Sequence, residues 1–168
     1  MVYRTPQELL QPALLDRLTD HDPSVSVEAA DQRVLTATQL LSAVKRDLGW
    51  LLNVTQLSTS VDLGEAEHVS TSILNYGIPE LAGVTRSSLN LDQLAQQIHE
   101  AITRFEPRFV RGTLQVQPQK NAGNAVVLLI RGEVRAHPMP LVLWLRTEID
   151  LENGNATLID EEGHAPVE

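Results

Sequence analysis

Leu91-Asp92-Gln93-Leu94-Ala95-Gln96-Gln97-Ile98-His99-Glu100-Ala101-Ile102-Thr103-Arg104-Phe105-Glu106-Pro107-Arg108-Phe109 is the stretch in which the chain changes from one kind of structure to another. Leu91, Leu94, Ala95, Ile98, Ala101, Ile102 and Phe105 recur at three- and four-residue intervals, the spacing that lines one side of a helix. That helix is expected to begin after Ser88 or Asn90. Pro107 ends it, because a proline pushes the residue before it out of the helical region. Beyond Phe109 the period falls to two: residues 110–116, 125–134 and 141–151 carry aliphatic and β-branched side chains in strand-like order. Helices first and strands afterwards predict an α+β single domain, with about three helices packed on one face of a mainly antiparallel sheet of about four strands.

Upstream, Leu40, Leu41, Val44, Leu48, Leu51 and Leu52 define a core helix of about four turns starting at Thr38. Gly49 within it costs up to ~1 kcal/mol relative to alanine, so a bend or an early stop is expected there. Residues 65–74 form a weaker helix. Asn75-Tyr76-Gly77-Ile78-Pro79 ends it, with a glycine suited to positive φ and a proline that cannot continue the turn. Pro12 to Leu18 reads as a short helix, followed by a loop as far as Thr36. Downstream, Leu141, Leu143, Leu145, Ile149 and Leu151 point one way and Val142, Arg146, Glu148 and Asp150 the other, as in a half-buried strand. Asn153-Gly154 carries the signal of a type I′ hairpin. It would return residues 155–159 as a fourth strand at the sheet edge, where Asp160, Glu161 and Glu162 discourage indiscriminate pairing. The expected organisation is an arm with a short helix over residues 1–36, the α+β domain over 37–162 and a tail over 163–168.

Composition narrows the function classes. The 168 residues are 42% hydrophobic and 21% charged, enough to bury one sizeable core. A formal charge of −9 repels phosphate backbones and anionic lipid heads, so nucleic acid is a poor partner. The absence of cysteine rules out disulfides, thiolate metal sites and a cysteine nucleophile, and fits a reducing compartment. Neither an export signal in the first ten residues nor a membrane-spanning stretch is indicated, so Asn53-Val54-Thr55 and Asn155-Ala156-Thr157 read as chance sequons.

No chemistry-bearing motif stands out. His21, His68, His99, His137 and His164 are scattered and form no ligand pair, so no metal or other cofactor is expected. Asn75-Tyr76-Gly77 and Asn121-Ala122-Gly123-Asn124 lack the strand and helix of a phosphate cradle and read as turns. Glu106 with Asp92 or Glu100 could be nominated as a glycosidase pair, but aromatics for sugar stacking are few and no catalytic residue is assigned. The constellation suited to recognition is Arg104-Phe105-Glu106-Pro107-Arg108-Phe109. Proline fixes the chain direction, so Glu106 and Arg108 leave the helix end at a set angle and can form charge-assisted hydrogen bonds with a partner or with each other. The plainer reading is a helix terminator with solvated charges, since surface ion pairs contribute only ~0 to 1 kcal/mol.

At these residues the chain resembles the short baseplate wedge proteins of contractile phages and their type VI secretion counterparts, the TssE family, often labelled lysozyme-like. Leu14-Leu15-Asp16-Arg17-Leu18 is similar to the family's N-terminal signature. Val44-Lys45-Arg46-Asp47-Leu48 with Leu51-Leu52-Asn53 is similar to its first long helix. Ser72-Ile73-Leu74-Asn75-Tyr76-Gly77-Ile78-Pro79-Glu80 resembles its characteristic turn, and Glu106-Pro107-Arg108 its E-P-R triplet. The resemblance implies a structural, non-enzymatic subunit in the cytoplasm at an inner-membrane-docked baseplate, joining wedge subunits to the first sheath ring. Glu106, Pro107 and Arg108 would then dock onto a helical bundle of TssF-like, TssG-like and TssK-like wedge proteins. Asn75, Tyr76, Gly77 and Pro79 would form a structural turn, and a sheet edge would receive a sheath strand by β-augmentation. A lysozyme-like peptidoglycan hydrolase is the alternative.

Overall fold

The helical periodicity becomes two long helices wherever an apolar face has a sheet to cover. The computed structural model describes residues 13–19, 35–120, 123 and 125–161. Among these, α1 (Leu14–Leu18), α2 (Ala37–Leu52), α3 (Glu67–Ser70) and α4 (Leu91–Phe105) precede β1 (Gln115–Gln119), β2 (Ala125–Val134), β3 (Leu141–Asp150) and β4 (Ala156–Asp160). The protein is a single α+β domain. The expected loop is outside the described residues from 20 to 34, as are the expected tail, His21, His164, Glu162 and most of the Asn121–Asn124 turn.

Thr36 starts α2 with a capping box, its hydroxyl accepting from the Gln39 N–H at 3.2 Å while the Gln39 side chain accepts from the Thr36 N–H at 2.8 Å. Asn90 starts α4, its side chain accepting from the Gln93 N–H at 3.1 Å. Leu40, Val44, Leu48, Leu51 and Leu52 of α2 join Leu94, Ala95, Ile98 and Ile102 of α4, and both rows lie on Val126, Leu128, Ile130, Leu143, Leu145 and Ile149 of the sheet. Each fully buried aliphatic side chain there stabilises by about 1.5 to 3 kcal/mol. Against that, the penalty for Gly49 is small, and α2 runs through it unbroken to Leu52.

The helix expected over residues 65–74 is reduced to the single turn α3 and a 3₁₀ turn, Ile73–Asn75. No α3 residue is buried. The Ser70, Thr71 and Ser72 hydroxyls bond to nearby carbonyls, offering the backbone alternatives to a longer helix.

The sheet is an antiparallel meander in the order β1-β2-β3-β4. Its first strand begins at Gln115 rather than at residue 110. Phe109 bridges Val134 in a separate register, and a turn closed by the Thr113 N–H on the Val110 carbonyl occupies the intervening residues. Phe109 takes this position because β2 offers Gly132 there: a Cβ at residue 132 would stand 2.8 Å from the Phe109 ring.

The final hairpin lies where expected, but its turn differs. Type I′ needs positive φ at both central residues. Among the described residues none other than glycine has positive φ, so Asn153 is excluded and, of the two, Gly154 alone adopts it, at +76°. Asp150 favours a longer, right-handed turn, its carboxylate accepting from the Glu152 N–H and the Asn153 side chain at 2.8 Å each. The Gly154 N–H then closes onto the Asp150 carbonyl at 2.7 Å. No helix among the described residues is long and apolar enough to cross a membrane.

Candidate functional site

The end of α4 is the natural place to look, because a helix, a strand-bound segment and a proline meet there. Glu106 caps α4, its N–H donating to the Ile102 carbonyl at 2.8 Å. Pro107 turns the chain so that Arg108 folds back over the Glu106 carboxylate. Glu106 is only 5% exposed. Its Oε1 accepts from the Arg108 N–H at 3.1 Å and Nε at 2.7 Å, and its Oε2 accepts from Arg108 Nη2. The same Nη2 also donates to Asp47 on α2.

The pairing continues beyond this trio. Arg46 Nε donates to Asp47 Oδ1 at 2.9 Å, and Arg46 Nη1 to Asp16 of α1 at 2.6 Å. Charges therefore alternate from Asp16 through Arg46, Asp47 and Arg108 to Glu106, tying the short N-terminal helix to the far end of α4. Burial alone would lower the Arg108 pKa, but the hydrogen bond and charge of Glu106, and then those of Asp47, outweigh it and hold the guanidinium above its ordinary value. Arg46 is also held above its usual value, first by its hydrogen bond to Asp16 and against some desolvation, with Asp47 adding to the effect.

Sequence reasoning singled out Glu106 and Arg108 and allowed that they bond to each other. It did not find Asp47, Arg46 or Asp16 as their partners. The available signal was the adjacent, oppositely charged Arg46 and Asp47 lying between the core positions Val44 and Leu48 of α2.

The turn at residues 75–79 lies against the same helix end. Asn75 is buried, with its side-chain oxygen accepting from the Ser58 N–H at 2.9 Å and its amide donating to the Ser70 carbonyl at 3.1 Å. Arg104 of α4 donates to that same carbonyl at 3.0 Å. Tyr76 meets Phe105 edge to face, ring centroids 5.1 Å apart. Gly77 has φ +123°, and Pro79 follows half-buried.

Burial, then the charges of Asp47 and Glu106, raise the Tyr76 pKa above 10.0. A raised value means that the fold prefers the neutral phenol, so this contribution is intact below pH 10 and is lost as pH rises through the folded-state value. The chain has two tyrosines. In a Tyr3→Phe variant the remaining phenol should therefore ionise above pH 10 by ultraviolet absorbance. Adding Asp47→Asn should bring the midpoint only part of the way back, since burial is the larger cause. An ordinary midpoint in the folded protein would contradict this environment.

The remaining nominated groups do not gather here. Asp92 and Glu100 lie on the exposed side of α4, about 12 Å apart along its axis at ~1.5 Å per residue. His99 is half-buried between α4 and β1, while His68 and His137 are exposed on separate elements. In the comparison with known proteins, a family model described as baseplate wedge protein gp25 matches residues 38–139, which include all of α2 but its first residue, the turn and the triplet. No curated protein and no solved structure matches the chain.

Proposed function

The chain belongs to the baseplate wedge protein gp25 family, and from that premise we propose that it is the TssE-type subunit of a type VI secretion baseplate, a non-enzymatic part joining the wedge to the first sheath ring. A structural role in a baseplate follows from the family itself. The finer reading adds that Glu106, Pro107 and Arg108 form the element that docks onto the helical bundle of TssF-like, TssG-like and TssK-like neighbours. It also places the protein in the cytoplasm, at a baseplate docked on the inner membrane.

The observation that carries this reading is the presentation of Arg108. Glu106 and Asp47 engage Nε and Nη2, while Nη1 makes no hydrogen bond among the described residues, and the side chain remains 22% exposed. A guanidinium locked on one edge and open on the other is pre-organised for an acceptor on a partner, and little side-chain entropy remains to be lost on docking. The hydrolase alternative has less support. Glu106, common to both nominated pairs, has both oxygens occupied by Arg108, and Asp92 lies about 21 Å from it along α4, beyond the ~5 to 9.5 Å range of glycosidase pairs.

The test is co-purification of the tagged protein from its own host, with wild type beside Arg108→Lys, which keeps a cation and loses the fork. Wild type should bring down wedge and sheath subunits. The variant, shown to be folded by circular dichroism, should lose wedge subunits by roughly tenfold or more, the scale of truncating a desolvated charge contact. Recovery of no baseplate proteins with wild type, combined with clearing of peptidoglycan, would replace this reading with the hydrolase.

A further inference from the structure

We propose that Arg46 is a positioning residue of the docking motif, holding one oxygen of Asp47 and so keeping that carboxylate off the free edge of Arg108; this rests on the docking reading above. A guanidinium carries five N–H donors, one on Nε and two on each terminal nitrogen. Glu106 takes the edge that Arg108 presents through Nε and Nη2. Asp47 takes the remaining hydrogen of Nη2, and it does so with Oδ2 alone. Both hydrogens of Nη1 are left for a partner.

Because Glu106 occupies the Nε side of Nη2, the second hydrogen of that nitrogen faces the end shared with Nη1, where Asp47 stands. Carboxylate and guanidinium groups favour two parallel bonds, and the last torsion of an aspartate turns over a broad range. Left to itself, Asp47 would swing Oδ1 onto Nη1 and complete a second fork. Oδ1 is already engaged, however. Arg46, its neighbour on α2, donates to it from Nε at 2.9 Å and brings Nη2 within 2.8 Å of the same oxygen.

Adjacent residues on a helix do not face each other, so Arg46 reaches Asp47 only by lying along the surface of α2. Two contacts keep it there. Its Nη1 donates to Asp16 of α1 at 2.6 Å, and its guanidinium lies over the ring of Trp50, one turn further along α2, 5.1 Å from the centroid. Among the described residues Arg46 makes no hydrogen bond or ion pair with Glu106 or Arg108, so any effect it has on docking passes through Asp47.

The full-length tagged protein, purified from its host as wild type, Arg46→Met and Arg46→Met/Asp47→Ala, tests this. Methionine keeps an apolar stem over Trp50 and loses every donor. The Arg46 side chain is 37% exposed, so the fold should survive, as circular dichroism checks. Wedge subunits should fall by roughly tenfold with Arg46→Met, because Asp47 then closes on Nη1, and return to within about threefold of wild type in the double variant, where no carboxylate remains to close. A merely supporting role for Arg46 gives the opposite order, since removing Asp47 as well would deepen the loss. In the isolated protein, side-chain nitrogen–proton NMR at low temperature should show the Nη1 protons of Arg108 exchanging freely with water in wild type and protected in Arg46→Met. Unchanged wedge recovery with Arg46→Met, no return in the double variant, or Nη1 protons equally exposed in both proteins overturns the proposal. Absence of wedge and sheath subunits with wild type would instead remove the wedge reading on which it stands.

Discussion

Gly77→Ala is expected to cost about 4 kcal/mol or more and to leave little folded protein, an effect at the far end of the range for a single substitution. Two independent causes add. At φ +123° a side chain is strained whatever space surrounds it, and here there is none: a Cβ would stand 2.2 Å from the Val54 carbonyl oxygen and 2.8 Å from its carbon. That carbonyl cannot withdraw freely, because it accepts the Ile78 N–H at 2.9 Å, while the Ile78 carbonyl accepts the Gln56 N–H at 2.9 Å. The short parallel pairing of Thr55 with Ile78 holds the segment after α2 to the turn. Urea unfolding followed by Trp50 and Trp144 fluorescence measures the cost. Gly83→Ala, also at positive φ but with nothing within 4 Å of its Cβ, should lose only about 1 to 2 kcal/mol. Equal midpoints for the two variants would show that the close approach to Val54 does not govern the turn.

Glu106→Gln should destabilise the isolated protein by roughly 3 kcal/mol, the low end for breaking a buried ion pair. The low end applies because Asp47 still partners Arg108, whose side chain is 22% exposed. For a protein of this size the melting temperature should fall by about 6 to 12 °C. The sequence alone leads one to expect that Glu106→Ala leaves a folded monomer lacking only its wedge association. Burial of Glu106 adds a folding cost to that expectation, which is why the docking test uses Arg108→Lys. Combining Glu106→Gln with Arg108→Gln should cost less than the sum of the two, because the double variant leaves no charge of that pair buried without its partner. A Glu106→Gln melt indistinguishable from wild type would show that the carboxylate is not held as described.

Patterns that repeat within a few residues are legible in the amino-acid sequence. The apolar stripe of α4 with its asparagine cap, the proline stop, the apolar face of α2 and the alternation in β3 each point to the right element, since each expresses a local preference that burial reinforces. The α+β class follows from their order. The triplet and the turn are legible as motifs, and the family match spans both. What misleads is local preference meeting a competing contact. Val110 to Leu114 are strand-like, yet Phe109 settles over Gly132 and turns the chain. Asn153-Gly154 favours type I′, yet the Asp150 carboxylate stabilises a right-handed turn. Gly49 is a poor helix residue, yet the leucines around it bury enough surface to carry α2 through.

The sequence by itself determined the class of fold and the proline-closed end of α4, and it nominated the residues of the candidate docking motif, because spacing and proline act within a few residues. Only the tertiary structure decided that Asp47 and Arg46 extend the Glu106–Arg108 pair to Asp16, that Tyr76 rests on Phe105, and that the Asn53 side chain bonds to the backbone of Ala156. Those partners are from 29 to 103 positions apart in the chain, and it is tertiary packing that brings them into contact.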